Sequence, residues 1–251
     1  MVFSGLCLFS NITLADQTVP AALKDVHRIV CLGDSITQGG EGPGGYVWLF
    51  RHYLTNLYPE QNIEVINAGI SGHKSTDMLA RFQRDVLDKK PDLITISVGV
   101  NDVWHGFYDN HPLGDGPAGI KLEDYKANVE KMVEMALAAH ARVALMSTTV
   151  IHENEDGSEN KKLIVYNAAL KELAKKNKLI FIDFQPVFHG IIKLAIAAGV
   201  DNNLLTGDGV HMNASGNKIM ATVMLRTLGV NTSAMQSVKE KVYAEMNPST
   251  K

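Results

Sequence analysis

Short apolar runs alternate with segments of helical periodicity along most of the chain. Five apolar runs predict strands buried inside a sheet, at 26–32, 63–68, 93–98, 142–147 and 179–184. Apolar residues at three- and four-residue spacing predict helices at 46–58, 75–90, 121–140, 160–176, 186–198 and 213–228. This alternation requires parallel pairing with right-handed crossovers. The pattern therefore predicts an α/β fold, a three-layer α/β/α sandwich around a five-stranded parallel sheet.

We expect the flavodoxin-like strand order 2-1-3-4-5, which places the first strand at the switch point of the sheet. The sequence shows no internal repeat, low-complexity segment or linker, so residues 20–251 are expected to form one domain. An extra helix near the C-terminus is expected to pack on one side. Residues 103–119 show the least regular pattern, and loops of this length are usually functional or mobile.

The composition is that of an ordinary globular protein. The chain has 251 residues, of which 45% are hydrophobic and 20% charged. A net charge of -3 gives no electrostatic support for a nucleic-acid partner. No apolar stretch reaches the roughly 18 residues of a membrane-spanning helix, so we expect no integral membrane segment. No feature of the sequence indicates an oligomeric state.

Residues 1–15 form an apolar segment that is either a removable leader or a disordered tail. The segment ends in Thr13-Leu14-Ala15, which is compatible with signal cleavage, but it lacks a positively charged start and Asn11 interrupts it. We favour the leader, and with it a secreted or periplasmic location over a cytoplasmic one. The two cysteines do not decide between these compartments, because one lies in the segment and the other in the first strand.

Ser35 lies where the first predicted strand ends, in the segment Gly33-Asp34-Ser35. In open α/β sheets, ligands bind at the carboxyl ends of the strands. A serine at that edge can be exposed and close to free backbone N–H groups, which makes it a candidate nucleophile. Alternatively, Asp34 and Ser35 are only turn and cap residues.

The first three strands end close together if the predicted order is correct, and each end offers one hydrogen-bond donor. The donors are the N–H of Ser35, the N–H of Gly69 and the side-chain amide of Asn101. Three donors aimed at one developing alkoxide form an oxyanion hole. The alternatives are that Gly69 simply ends a strand and that the Asn101 side chain caps a loop.

A serine nucleophile needs a base, and His211 is the strongest candidate among nine histidines. It follows Asp208 by three residues in the segment Asp208-Gly209-Val210-His211. The carboxylate can therefore reach Nδ1 of the imidazole and leave Nε2 free to face Ser35. Alternatively, His211 merely precedes a helix and Asp208 supports a turn.

Two competing chemistries fit the sequence poorly. The Gly-x-Ser-x-Gly pattern of the usual α/β-hydrolase nucleophile is absent, and so is His-Glu-x-x-His. The grouping of His105, Asp109 and His111 is interpreted as a solvated loop. No metal site is therefore predicted.

The four segments together resemble the SGNH hydrolases, also called the GDSL esterase/lipase family. Gly33-Asp34-Ser35, Gly69, Gly99-Val100-Asn101-Asp102 and Asp208-Gly209-Val210-His211 match its blocks in order, although the first block continues with Ile36 instead of leucine. The resemblance implies that Ser35 is the nucleophile, His211 the base and Asp208 the orienting acid, with Ser35, Gly69 and Asn101 as the oxyanion hole. It implies ester hydrolysis through an acyl-serine intermediate, with neither metal nor organic cofactor.

We expect a small-molecule ester substrate, either a short-chain ester or an O-acetyl ester on a sugar. Trp104, Phe107 and Tyr108 provide a semi-polar wall suited to stacking on a sugar, unless they only pack among themselves. The family also includes enzymes for longer acyl chains, so a lysophospholipase or acyl thioesterase is the main alternative. A carbohydrate-binding relative without catalysis is a further alternative, against which the presence of Ser35, Asp208 and His211 argues.

Overall fold

A computed structural model describes residues 18–200 and 203–246. It contains a five-stranded parallel sheet of order β2-β1-β3-β4-β5, as predicted. The strands are β1 (Arg28–Gly33), β2 (Glu64–Gly69), β3 (Leu93–Ser97), β4 (Arg142–Met146) and β5 (Ile180–Ile182). The central strand β3 is buried along its whole length, which explains its unbroken run of β-branched and apolar residues.

Helices cover both faces of the sheet and complete the expected three layers. They are α1 (Ser35–Gly39), α2 (Tyr46–Leu57), α3 (Ser75–Asp85), α4 (Val100–Trp104), α5 (Leu122–Ala138), α6 (Ser158–Lys176), α7 (Gln185–Ala197), α8 (Ala214–Thr227) and α9 (Thr232–Met246). Helices α3, α5 and α6 pack side by side, whereas α2 packs with α8 and α9. The predicted α/β/α sandwich is thus confirmed.

Two predicted elements lose about a third or more of their length in the structure. The helix predicted over 75–90 ends at Asp85, because Val86 leaves helical geometry (φ -119°, ψ -65°), and the chain continues as a 3-10 turn, Leu87–Lys89. The strand predicted over 179–184 is reduced to the three residues of β5, which pair with β4 at the edge of the sheet.

The segment 103–119 is tied to the body of the protein. It begins within α4, continues as a 3-10 turn (His105–Phe107), and has no further helix or strand. Lys74 Nζ donates to the carbonyl oxygen of Ala118 (2.9 Å), and Lys162 Nζ donates to that of Gly114. These two cations, from α6 and from the residue before α3, hold an otherwise irregular loop.

The extra C-terminal helix expected from the sequence is α9, which packs on α2. His52 Nδ1 lies 2.6 Å from Glu245 Oε2, and Asn56 Nδ2 donates to the same carboxylate (3.2 Å). Residues 1–15, the expected leader or tail, lie outside the described part of the chain. Among the described residues, every helix is too short or too polar to cross a membrane.

Candidate active site

Ser35 stands at the carboxyl end of β1, as the first residue of α1. Asp34 caps this helix by accepting from the N–H of Ile36 (2.9 Å), while the Ser35 N–H has no partner within the helix. A Cβ on Gly33 would lie 1.9 Å from Thr37 Oγ1, so the chain can fold back this tightly only if residue 33 is glycine. The turn presents the Ser35 side chain at the partly exposed edge of the sheet.

The structure brings Ser35, His211 and Asp208 together. His211 Nε2 lies 2.8 Å from Ser35 Oγ, although 176 positions separate the two residues. His211 Nδ1 lies 2.6 Å from Asp208 Oδ2. The other carboxylate oxygen, Oδ1, accepts from the backbone N–H groups of Val210 (3.0 Å) and His211 (2.8 Å). The carboxylate is therefore fixed to the same short loop as the imidazole that it orients.

Asp208 is ionised throughout the neutral range. Burial acts to raise the pKa of its carboxyl, but the hydrogen bonds from His211 and Val210 outweigh burial and lower the pKa to about 2. Because the carboxylate can only accept, Nδ1 of His211 carries the proton. In a neutral imidazole, Nε2 is then the acceptor for the Ser35 hydroxyl, as a general base requires.

Asn101 offers a side-chain amide beside this serine. It belongs to α4, directly after β3, and only 4% of its surface is exposed. Its Nδ2 donates one hydrogen to the carbonyl oxygen of His73 (3.1 Å), which leaves the second hydrogen of the amide for a ligand. The His73 contact therefore fixes the orientation of the amide.

The N–H of Gly69 already has an acceptor. It donates to Oδ1 of Asn67 (2.8 Å), whose Nδ2 in turn donates to the carbonyl oxygen of Thr37 (2.6 Å). Gly69 can therefore serve as the expected oxyanion donor only if the bond to Asn67 opens. This side-chain contact within β2 could not be foreseen from the residue types.

Gly72, which the sequence reasoning did not consider, has an N–H without an acceptor in the described part of the chain. Its neighbours fix its place: Ser71 N–H donates to Oε1 of Gln38 in α1 (2.8 Å), and the His73 carbonyl oxygen holds the Asn101 amide. Gly72 thus lies between the helix that starts at Ser35 and the Asn101 side chain. The available signal was a second glycine three residues after Gly69.

Arg81 of α3 is a second residue that the sequence reasoning missed, and its guanidinium joins three parts of the site. It donates to the carbonyl oxygens of Gly33 (Nη2, 2.9 Å) and Ala68 (Nη1, 2.9 Å), and to Nδ1 of His73 (Nε, 3.0 Å). Burial and the nearby Arg81 charge lower the pKa of His73, which is consistent with an acceptor Nδ1. Its position in α3 next to the apolar Phe82 was the only available signal.

Two buried carboxyl groups, those of Asp34 and Asp102, are next to Ser35 and Asn101 in the chain. Burial, together with the neighbouring Asp102, raises the pKa of Asp34 to about 6. Burial likewise raises the pKa of Asp102 to about 6, although its carboxylate accepts from the N–H of Ser75 (3.0 Å). Asp102 thus anchors the start of α3 to the start of α4.

A cluster of aromatic rings flanks the loop that carries His211. The Trp104 ring contacts Tyr108 and His152 edge-on (5.8 and 6.1 Å between centroids), and His105 stacks on Tyr108 (4.8 Å). The His152 N–H donates to the carbonyl oxygen of Gly209 (2.6 Å), which places this aromatic cluster beside the loop of Asp208 and His211. Phe107, expected in the same wall, lies instead under the ammonium group of Lys162 (5.9 Å).

His105 and His111 do not assemble a metal site with Asp109. His111 Nδ1 is 3.4 Å from Asp115, and His105 belongs to the aromatic cluster. Within residues 18–200 and 203–246, no group of three or more His, Cys, Asp or Glu side chains is arranged to hold a metal ion.

Residues 31–219 match the model of the GDSL-like Lipase/Acylhydrolase family. This span is about three quarters of the chain and includes Ser35, Asn101, Asp208 and His211. The chain therefore belongs to that family, and with the Ser35–His211–Asp208 arrangement it is a serine esterase, a carboxylic ester hydrolase.

Known relatives fall in the same class. The chain is 32% identical over 214 residues to an acetylxylan esterase of Geobacillus stearothermophilus, a match that covers 81% of this chain and 94% of the relative. The crystal structure of Axe2, an acetylxylan esterase from that organism, superposes with a TM-score of 0.71 at 30% identity, over 82% of this chain and 95% of that one. The acetyl xylan esterase AlAXEase gives a TM-score of 0.72 at 29% identity, over 79% and 98% of the two chains.

Proposed function

We propose that the protein removes short acyl groups, above all acetyl groups, from esters of sugars. The observation that carries this proposal is the openness of the site. The side chains of His211 and Asp208 are 46% and 57% exposed, and the aromatic cluster stands beside them. A bulky, polar alcohol can therefore approach Ser35 from solvent, and a flat ring such as Trp104 is a suitable surface for the apolar face of a sugar.

In the proposed mechanism, Ser35 Oγ attacks the ester carbonyl while His211 Nε2 takes its proton. The tetrahedral intermediate collapses when the imidazolium returns that proton to the leaving alcohol, and an acyl-serine remains. Water then attacks the acyl-serine, again with His211 as base, which releases the acid and restores the hydroxyl. Asp208 stabilises the imidazolium in both steps, and no metal or organic cofactor takes part in the proposed chemistry.

For the oxyanion we propose the Ser35 N–H, the Asn101 amide and the Gly72 N–H, with Gly72 in the place first assigned to Gly69. The free N–H of Gly72 supports this choice, as does the occupied N–H of Gly69. A crystal structure of the enzyme phosphonylated on Ser35 tests it. We expect the phosphonyl oxygen within about 3 Å of Gly72 N and Asn101 Nδ2. A phosphonyl oxygen bound by Gly69 N, with Asn67 displaced, would restore the original assignment.

Several surface cavities of the protein lie away from Ser35. Five surface cavities of about 380 to 460 Å³ lie along α5, α6, the 107–121 segment and the amino ends of β4 and β5. None of these five is lined by Ser35, Asp208 or His211. A long acyl chain would therefore gain little apolar contact at these cavities.

The relatives support a sugar as the alcohol, since the acetylxylan esterases carry that substrate in their names. The residues of the proposed site come from positions 33 to 211, which supports treating residues 20–251 as one hydrolase domain. The proposed leader at 1–15 remains a prediction, and so does a secreted or periplasmic location.

The test is a substrate panel measured on the purified chain. Acetylated xylo-oligosaccharides are compared with p-nitrophenyl esters from acetyl to palmitoyl, with lysophospholipid and with an acyl thioester. We expect the highest kcat/KM on the acetyl esters. A maximum beyond about eight carbons, or on the thioester, would overturn the acetyl assignment.

The matched control is Ser35→Ala, because it removes one oxygen from a partly exposed side chain. We expect complete loss of hydrolysis with unchanged binding of the oligosaccharide. Activity that persists in Ser35→Ala would remove Ser35 as the nucleophile. A wild-type chain that binds the sugars without hydrolysing any ester would make the protein a binding relative.

A further inference from the structure

Glu153 is a buried carboxylate outside the proposed triad, in the loop between β4 and α6. Only 6% of its surface is exposed, and no cation of the described residues pairs with it. Four donors surround it instead. Its Oε2 accepts from Leu204 N (2.9 Å), and its Oε1 accepts from Leu205 N (2.9 Å), Thr206 N (2.6 Å) and Thr206 Oγ1 (2.6 Å).

These donors lie at the base of the loop that carries Asp208 and His211. The loop closes on itself just above them, since Thr206 forms an antiparallel bridge with Met212. Gly207 N donates to the carbonyl oxygen of His211 (2.8 Å), and Asn213 N donates to that of Leu205 (3.0 Å). The closed loop is therefore one unit, and its first three residues are bound to a single carboxylate.

Glu153 is itself held in an uncommon conformation. His152 and Glu153 are consecutive non-glycine residues with left-handed backbone (φ 58° and 46°). The buried Asn160 of α6 maintains this turn, because its Oδ1 accepts from Ile151 N (2.9 Å) and its Nδ2 donates to the carbonyl oxygen of Asn154 (2.6 Å). The strain is thus offset by contacts that connect α6 to the catalytic loop through Glu153.

A second contact joins the same turn to the catalytic loop. The N–H of His152 donates to the carbonyl oxygen of Gly209, between Asp208 and His211. Gly209 has a left-handed backbone (φ 94°), and a Cβ there would lie 2.7 Å from Nδ1 of His152. The 152–153 turn therefore contacts the loop of Asp208 and His211 both at the base and at the tip of that loop.

The charge of Glu153 strengthens its hydrogen bonds to residues 204–206. Burial acts to raise the pKa of its carboxyl, but the hydrogen bonds from Thr206, Leu205 and Leu204 outweigh it, so the pKa lies below its usual value. The carboxyl group is therefore ionised more readily than that of an ordinary glutamate, and an anion is the strongest acceptor for consecutive N–H groups.

We propose that Glu153 is a positioning residue, which holds the Asp208–His211 loop so that the imidazole stays in register with Ser35. The proposal rests on the triad assigned under the proposed function. A small displacement of a catalytic base costs much in rate, because the reacting atoms must meet within a narrow range of distance. Removal of the carboxylate should therefore lower kcat much more than it changes KM.

The test uses the full chain and the variants Glu153→Gln and Glu153→Ala. With p-nitrophenyl acetate we expect kcat to fall roughly 10- to 100-fold in Glu153→Ala, with KM within about twofold. In Glu153→Gln, kcat should fall less, because the amide oxygen can still accept from Leu205 and Thr206. Some loss remains, because the NH₂ group faces the N–H of Leu204 and the two donors cannot bond.

The second readout is the downfield proton resonance of His211 Nδ1–H, which reports the hydrogen bond to Asp208 without any turnover. We expect this resonance to shift or broaden in Glu153→Ala under conditions where circular dichroism shows a folded protein. Asp92→Ala is the matched control. Asp92 also accepts two backbone N–H bonds, from His27 and Arg28 (both 2.8 Å), but at the amino end of the sheet. It should lose stability and keep both kcat and the resonance.

Unchanged kcat and an unchanged resonance in folded Glu153→Ala would overturn the proposal. If that variant does not fold, the same two results in Glu153→Gln would overturn it. An equal loss of kcat in Asp92→Ala would also overturn it, because the effect would then be general destabilisation. Failure of the proposed function gives a different result. Hydrolysis then survives in Ser35→Ala, while the His211 Nδ1–H resonance still responds to substitution of Glu153.

Discussion

Arg81 Nε donates to Nδ1 of His73 across 3.0 Å, and the carbonyl oxygen of that same histidine holds the amide of Asn101. The other guanidinium nitrogens bind the carbonyl oxygens of Gly33, the last residue of β1, and of Ala68, the last residue but one of β2. One buried cation therefore sets the relative positions of the strand end next to Ser35 and the loop that contains Gly72.

Arg81→Lys should lower kcat about tenfold while KM changes little. A lysine keeps the charge, but its three donors radiate from one nitrogen and cannot span the positions that Nε, Nη1 and Nη2 of Arg81 reach, so the 70–73 loop loses its fixed position. Steady-state kinetics with p-nitrophenyl acetate measure the effect. Arg84→Lys is the control, because the Arg84 side chain is exposed and, within the described part of the chain, its guanidinium bonds only to Asp85. Equal kcat values for wild type and Arg81→Lys would contradict the positioning role.

Asn101→Ala should lower kcat by roughly a hundredfold or more, since loss of one oxyanion donor costs about 3–4 kcal/mol in the transition state. The fold should remain, because the side chain makes only one hydrogen bond to the protein. The comparison is with Asn56→Ala, which removes a side-chain amide that bonds to His52 and Glu245 on the α2–α9 side. If both variants turn over like the wild type, Asn101 is not an oxyanion donor.

Asp208→Asn should reduce kcat by about 10⁴-fold with an intact fold. The amide can donate to Nδ1 and so stabilise the tautomer in which Nε2 carries the proton, and that imidazole cannot accept from Ser35. Because the pKa of Asp208 is lowered to about 2, protonation of this carboxyl should not limit the wild-type rate above about pH 3. If the wild type shows a titration step well above pH 3 that is absent from Asp208→Asn, the lowered pKa of Asp208 is contradicted.

Asp34→Asn should make stability less dependent on pH between about pH 4 and 7. Burial raises the folded-state pKa of Asp34 from 3.8 to about 6, so the folded protein binds this proton more tightly than the unfolded chain does. Its contribution to stability is complete below the unfolded pKa and is lost as pH rises through the folded pKa. Two pKa units correspond to roughly 3 kcal/mol.

Urea unfolding of wild type and Asp34→Asn at several pH values measures this contribution. Groups that do not interact with Asp34 cancel in the difference between the two free energies of unfolding. That difference should shift in favour of the variant as pH rises. A difference that stays constant from pH 4 to 7 would show that Asp34 is not held in its protonated form.

Most of the sheet could be predicted from the sequence because its inner strands β1, β3 and β4 are buried on both faces and therefore read as apolar runs. The pairing of Asp208 with His211 was also accessible, since three residues of loop separate them. The contact between His211 and Ser35 joins residues 176 positions apart, so spacing along the chain does not predict it. It depends on the strand order, for which the sequence analysis takes the flavodoxin-like arrangement.

Arg81, Glu153 and Gly72 could not be identified in the same way. The partners of Arg81 and Glu153 are mainly backbone groups 13 to 53 positions away, and residue types do not show which carbonyl or N–H a side chain will reach. An isolated charge usually lies on a solvated face, so burial of these two was invisible before the fold was known. The sequence leads to Gly69 and not to Gly72, because residue types do not show that the Asn67 side chain occupies the Gly69 N–H.

The exposure of His211 and Asp208 has a practical consequence for how the enzyme meets its substrate. An acetyl group fixed to an insoluble fibre or particle can reach the Ser35 hydroxyl while the rest of the support stays outside the protein. Since the edge of the sheet that carries Ser35 already faces solvent, catalysis at such a solid surface would require only that the enzyme and the surface touch in the correct orientation.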